Sequence, residues 1–317
     1  MPQGQRVSRN DYAHATPALS PPMTYWLYRG LARLPLGVLY PIATLGAWLL
    51  YYVFRYRRKV VLRNIECSFP ALSTSQQQQM ARRFYDHFAD TTLEIIAGYH
   101  LAEAALVQRS VISNPELLDD ISENHQRSVI VMTLHQGNWE WMLYAGNHRY
   151  PQASAAVYKR LHDAGADRFS IESRSRFGAS PIEMRAAARD IIKHRRTPRL
   201  IYMVADQSPG RRERVHWTTF LNQRTAFFSG AASLARATGF PVAFASAHRT
   251  ARGHYAIHLE AITLDPKSLS EGEIIERYAR LAEHAIRRSP AEWLWSNRRW
   301  KSHADQPEAE EPDAAPD

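Results

Sequence analysis

Between residues 128 and 205 the chain alternates short β-branched and apolar runs with longer segments of helical spacing. Ser-Val-Ile-Val-Met-Thr-Leu at 128–134 reads as a buried strand and leads into a helix over about 138–147. A strand at 153–158 precedes a helix at 164–177. Residues 182–194 are helical in spacing, and 199–205 (Arg-Leu-Ile-Tyr-Met-Val-Ala) form another buried-type strand. Parallel strands need crossover connections, usually helices, so this rhythm predicts an α/β sandwich with a largely parallel central sheet.

The flanks extend the pattern. Met80, Phe84, Phe88, Leu93 and Ile96 recur at helical spacing across 73–99, with Ser73 or Ser75 as the cap. A small-residue helix at 229–238 stops at Gly239, with Pro241 just beyond. Strands at 241–248 and 254–262 join through a turn at 250–253, and 271–288 forms a last amphipathic helix. No long polar linker interrupts the middle, so one folded domain over 60–303 is expected. Residues 1–22 are polar and scattered with Pro and Ser, and 304–317 are acidic and rich in Ala and Pro; both are expected to be disordered.

A net charge of +9 and a pI near 9.7 favour anionic partners, namely lipid headgroups, an acidic carrier protein or nucleic acid. No zinc-finger spacing or RNA-binding signature supports the last, so no nucleic-acid partner is expected. The single cysteine, Cys67, excludes an intrachain disulfide framework.

Residues 34–54 contain no charge and nearly reach the roughly 20 apolar residues needed to cross a bilayer. Trp48, Tyr51 and Tyr52 suit an interfacial belt, and Arg55, Arg57, Arg58, Lys59 and Arg63 follow at once. By the positive-inside rule this transmembrane helix, within a 23–59 anchor, places the following domain in the cytoplasm. Arg29 and Arg33 on the other flank oppose that orientation, and Pro35 and Pro41 leave open a shallow interfacial helix. A buried core helix passes the same compositional test. A late start and a basic C-terminal flank without a small-residue cleavage site argue against a cleaved signal peptide.

His135 and Glu140 are the expected catalytic pair. Leu-His-Gln-Gly-Asn-Trp-Glu-Trp at 134–141 sits at the C-terminal end of the first strand, where open α/β sheets place their sites. A His oriented by a carboxylate is a general base, and no Ser or Cys nearby looks nucleophilic, so the nucleophile is expected from the substrate.

This block resembles the His-x4-Glu/Asp signature of glycerolipid-type acyltransferases. The wider chain resembles the lipid A biosynthesis (lauroyl/myristoyl-type) acyltransferases, a branch of the lysophospholipid acyltransferase superfamily, from about Arg57 to Lys301. The landmarks in order are Arg57-Arg58-Lys59 to Asn64 with Phe69-Pro70, the 134–141 block, Val157-Tyr158-Lys159 and Arg174-Ser-Arg-Phe-Gly178. They continue with Ala205-Asp-Gln-Ser208, Ala235-Arg236 with Pro241-Val242, and Trp293-Leu-Trp-Ser-Asn-Arg-Arg-Trp300. A lone His-x4-Glu is weak evidence; the whole series in order is specific.

The resemblance implies a glycerolipid-acyltransferase-like fold in an inner-membrane O-acyltransferase facing the cytoplasm. It would move a fatty acyl group from acyl carrier protein, or coenzyme A, to a hydroxyl of a lipid A precursor, an anionic acceptor. The acyl thioester is a co-substrate, and no cofactor or metal is implied. His135 would remove the hydroxyl proton while Glu140 fixes the tautomer.

Other residues have both a functional and a plain structural reading. Gly137 and Asn138 could present N–H donors to an oxyanion, or form the strand–helix turn with Asn138 as N-cap. Arg174, where the family carries an arginine before Phe-Gly, could hold a phosphate bidentately; Arg160, Arg168 and Arg176 could share that basic surface or merely coat a helix. Asp206, followed by Gln207, could orient an active-site arginine or the acceptor sugar, or form a turn. The basic segment 209–215 reads as a mobile loop facing the substrate. The indoles and guanidiniums of 293–301 suit a membrane boundary or a C-terminal packing helix.

The family usually has His where Asn297 stands, so that position is not expected to carry essential chemistry; Asn-Trp within the His-x4-Glu block and Lys159-Arg160 in place of an Arg-Pro pair leave acceptor identity open. Of the fourteen histidines only His135 has a catalytic context; none shares metal-ligand spacing with Cys67 or carboxylates. Two rival readings remain: an acyltransferase acting on a lysophospholipid, aminolipid or glycolipid, and a membrane-tethered lipid- or carrier-binding protein without turnover.

Overall fold

The structure is a computed structural model that describes residues 21–210 and 213–300. The expected disordered termini lie outside these residues, apart from Pro21 and Pro22.

Five helices come first: α1 (Met23–Leu31), α2 (Leu36–Trp48), α3 (Arg58–Ser68), α4 (Thr74–Ala97) and α5 (Glu103–Arg109). A π-helical turn, Leu49–Val53, extends α2. β1 (Ser110–Ile112) and α6 (Glu116–Ile121) lead to the alternating core of β2 (Val129–Thr133), α7 (Trp139–Arg149), β3 (Ala153–Tyr158), α8 (Ala164–Arg176), β4 (Ala179–Glu183), α9 (Met184–Lys193) and β5 (Arg199–Val204). A hairpin of β6 (Val215–Phe220) and β7 (Gln223–Phe228), then α10 (Gly230–Thr238), β8 (Val242–Ala251), β9 (His254–Thr263) and α11 (Glu271–Arg288), complete the fold.

The seven-stranded sheet has the order β1-β9-β8-β2-β5-β3-β4, parallel at every pairing except β8 with β9. The expected α/β architecture with a largely parallel sheet is therefore present. β2 is central and every residue of it is buried, as its unbroken apolar run requires of a strand covered on both faces. One core layer joins α4, α10 and α11 to the sheet through residues such as Phe84, Ile130, Phe244 and Tyr278; the opposite layer packs Val131, Met142, Leu143 and Leu200. Capping boxes at Ser73/Gln76 and Ser270/Glu273 start α4 and α11 by tying reciprocal backbone N–H groups.

Three segments depart from expectation. β4 occupies 179–183, where helical spacing had been extended back to Ile182; Pro181 is compatible with β4 because the strand lies at the sheet edge. The β6–β7 hairpin had no clear period, and its turn uses Leu221 and Asn222, both at positive φ. The basic 209–215 segment is not wholly open either: Gly210 N–H donates to Glu213 Oε2 at 2.7 Å.

Candidate active site

His135 and Asp206 meet because of sheet register. Thr133 of β2 pairs with Val204 of β5, so each residue lies two positions beyond a paired neighbour at the same sheet edge. The Ala205 N–H donates to the Thr133 carbonyl at 3.0 Å and carries the register one step further. His135 Nδ1 then lies 2.7 Å from Asp206 Oδ1, and the His135 backbone N–H donates to Oδ2 at 3.0 Å. The carboxylate on the imidazole is thus Asp206, not Glu140. The expectation that Asp206 would orient an arginine or a sugar is replaced by this pairing.

A third chain segment completes the carboxylate. Gln136 and Trp293 form an antiparallel bridge, and the Leu294 N–H donates to the His135 carbonyl at 3.0 Å. This places the Trp293 indole N–H 2.7 Å from Asp206 Oδ2. Burial raises the Asp206 pKa, but the charge and hydrogen bonds of His135 together with the indole outweigh it, and the net pKa is lowered. An ionised Asp206 only accepts, so Nδ1 carries the proton and Nε2 keeps its lone pair. Nε2 lies 3.3 Å from the Gln207 amide nitrogen, a contact that an incoming hydroxyl must replace. Trp139 packs edge-on to the imidazole, with centroids 5.0 Å apart.

Glu140 lies in the first turn of α7 and faces Arg174 in the last turn of α8. Arg174 Nε and Nη2 donate to its two oxygens at 3.0 and 2.5 Å, with side-chain exposures of only 17% for Arg174 and 9% for Glu140. Burial opposes the Arg174 charge, but Glu140 outweighs it and the guanidinium pKa is raised. In this structure the Nε–Nη2 fork of Arg174, expected to hold a phosphate, is taken up by Glu140. A hydrogen bond between Tyr144 and Ser173, at 2.7 Å, ties the same two helices.

Gly137 and Asn138 are held structurally. The Gly137 N–H faces the Glu292 carbonyl at 3.3 Å, its φ is +57°, and a Cβ there would sit 2.5 Å from the Ala247 carbonyl oxygen. That N–H is not directed at an oxyanion. The Asn138 side chain caps α7 through Trp141 N and donates to Glu94, which is fully buried. Arg160 lies on the exposed rim near Asp167 and Glu183, Arg168 pairs with Glu172, and Arg176 donates to the Gly98 carbonyl.

The imidazole opens on a small cleft lined by Phe84, His87, Phe88, Thr91, Thr92, His135, Trp139, Glu292 and Leu294. Sequence reasoning missed Trp293, Glu292 and His87 here. The 293–300 motif was the available signal, read as a membrane boundary or a C-terminal packing helix; Trp293 and Trp295 are buried core residues, as packing requires, but the segment is not helical. Burial, reinforced by Arg249, pushes His87 down to about 3 and keeps it neutral. Arg299 is buried behind the site and burial lowers it to about 10, against the pull of Asp206 and Tyr278.

Burial also raises Glu292 from 4.5 to about 7, although the Arg249 N–H donates to it at 2.8 Å. Below about pH 4.5 its carboxyl is protonated in both folded and unfolded chains. As pH rises toward 7 the unfolded chain ionises first, so the folded state loses stability across that window. Glu292→Gln removes the slope. Urea unfolding is expected to show the variant gaining about 1–3 kcal/mol on the wild type between pH 4.5 and pH 8; a pH-independent difference would contradict the assignment.

Residues 14–302 match the family described as bacterial lipid A biosynthesis acyltransferase. The chain is also 22% identical over 281 residues to the lipid A biosynthesis lauroyltransferase of Escherichia coli (strain K12), covering 87% of this chain and 89% of that protein. A match over nearly the whole described fold, with a paired histidine at the sheet edge, makes this chain a member of the bacterial lipid A biosynthesis acyltransferase family.

Proposed function

We propose that the protein transfers a fatty acyl group from acyl carrier protein to a hydroxyl of a lipid A precursor at the cytoplasmic face of the bacterial inner membrane, with His135 as general base. The observation that carries this reading is the Asp206–His135 pair, which fixes the proton on Nδ1 and leaves the Nε2 lone pair on an imidazole that lines the cleft. Nε2 accepts the proton of the acceptor hydroxyl as its oxygen attacks the thioester carbonyl carbon. The tetrahedral intermediate collapses by breaking the carbon–sulfur bond, and the imidazolium returns its proton to the departing sulfur. The products are an ester and a carrier thiol.

Asp206 stabilises the imidazolium electrostatically, and the Trp293 indole holds Asp206 in place. The Glu140–Arg174 pair then serves as a positioning element that fixes α7 against α8 around the imidazole. The net positive charge of the chain suits both an acidic carrier protein and an anionic acceptor.

The test uses purified protein, acyl carrier protein thioesters of several chain lengths, the matching coenzyme A thioesters and a tetra-acylated lipid A precursor. The expected product is the precursor heavier by one acyl chain, formed from the carrier-protein donor. Transfer only from coenzyme A would overturn the donor, and transfer only to a lysophospholipid or aminolipid would overturn the acceptor.

A further inference from the structure

The apolar surface of this protein is concentrated in one place. Of the sixteen large hydrophobic residues that stand exposed among the described residues, eleven lie between Met23 and Tyr56. On α2 and its π-helical extension, Val38, Ile42, Leu45, Trp48 and Tyr52 form an outward stripe at helical spacing. Met23, Trp26 and Leu27 of α1 add to the exposed apolar surface. A soluble monomer does not usually leave so large an apolar strip uncovered.

The other side of α2 is already occupied. Ala43, Ala47 and Tyr51 pack with Phe84, Tyr85 and Ala89 of α4, while Leu36 and Leu39 pack with Ala97, Trp141 and Tyr255. The helix thus lies along the domain for its whole length. Its midpoint is fastened by charge: Arg252 donates to the Tyr40 carbonyl and to Thr44 Oγ1, both at 2.9 Å, and to the buried Asp90, which Arg249 also contacts.

Leu36–Val53 is long and apolar enough to cross a membrane by length and composition. A bilayer crossed in this packed arrangement would bring Asp90, Arg249 and Arg252 to the depth of the helix midpoint, deep in hydrocarbon. A helix apolar on one side and packed against protein on the other is suited instead to lying in the plane of the interface.

Charge identifies the occupant. Residues 21–65 contain no Asp or Glu and seven Lys or Arg, of which Arg33, Arg55, Arg57, Lys59 and Arg63 are exposed. Cations beside an apolar strip match an anionic lipid leaflet. The strip also ends at the cleft, since Tyr56 stacks on Phe88, a cleft-lining residue, with centroids 6.3 Å apart.

We propose that α1 and α2 form an in-plane docking surface for an anionic lipid leaflet and bring the His135 cleft to the level of the headgroups without crossing the bilayer. This goes beyond the acyl-transfer reading and does not depend on donor or acceptor. Transfer to detergent-dispersed acceptor reports on the site, whereas the following measurements report on the surface.

Two measurements on the full chain test it. In flotation assays the protein is expected to bind vesicles of phosphatidylcholine with phosphatidylglycerol at least about tenfold more tightly than phosphatidylcholine alone. The variant Leu45→Asp/Trp48→Asp, checked for unchanged helicity by circular dichroism, should lose at least about tenfold in binding. In the second measurement, Arg33→Cys and Arg55→Cys are made separately in a Cys67→Ser chain and labelled in sealed inverted membrane vesicles with an impermeant maleimide. Reaction at both positions from the same face supports in-plane docking. Reaction from opposite faces would establish a span and overturn the proposal. Self-association through the strip without vesicle binding would overturn it in favour of a second copy of the chain.

Discussion

His135→Ala is expected to fold and to transfer acyl groups about 10³- to 10⁴-fold more slowly than the wild type, with the loss in kcat. A hydroxyl is a weak nucleophile at neutral pH, and Nε2 is the ring nitrogen that the Asp206 contact leaves without a proton, on an imidazole that lines the cleft. The fold should survive, because Asp206 keeps the backbone N–H at position 135 and the Trp293 indole. Loss of one hydrogen bond to a buried carboxylate should cost about 1–3 kcal/mol. Single-turnover transfer with circular dichroism on the same preparation separates rate from folding. A folded His135→Ala protein that retains wild-type kcat would remove the imidazole from the chemistry.

Arg174→Ala is expected to be the most destabilising single change around the site, by about 3–5 kcal/mol in urea unfolding. Its guanidinium is the bidentate partner of a carboxylate that is nearly as buried as the core, so truncation strands Glu140 without its counter-charge. Arg174→Lys should recover only part of the loss, since an ammonium cannot reproduce the two-pronged geometry. The double change Arg174→Met/Glu140→Gln should be more stable than Arg174→Ala, because it leaves no uncompensated charge. Equal stability of Arg174→Ala and wild type would mean that the pair contributes nothing to holding α7 on α8.

The alternation of the core and the position of His135 were legible in the sequence because both follow from local pattern. β2 and β5 are continuous apolar runs, and the Gly-Asn break after His135 marks the strand end. The partner of His135 was not legible. Sequence proximity favoured Glu140, five residues away, whereas sheet register delivers Asp206 from 71 positions further on. A parallel pairing of β2 with β5 cannot be deduced from either strand alone.

The same limit hid Trp293, whose indole reaches Asp206 only because 292–294 lies beside 135–137. Arg174 was singled out to hold a phosphate, and the partner that its guanidinium has in this structure is a protein carboxylate. β4 and the β6–β7 hairpin escaped for a different reason: unlike β2 and β5 they are only partly buried and lack an unbroken apolar run.

The central claim is that His135 acts as a base because Asp206 holds its tautomer, and a double-mutant cycle on these two residues tests it most directly. In Asp206→Asn the remaining amide oxygen is held by the indole and the position-135 N–H, which turns the NH₂ toward Nδ1. The imidazole proton is then forced onto Nε2, where it blocks proton abstraction. The account predicts a kcat loss of about 10²- to 10⁴-fold for Asp206→Asn, and a His135→Ala/Asp206→Asn protein no slower than His135→Ala alone. Losses that multiply in the double variant, or an Asp206→Asn protein with wild-type kcat, would contradict it.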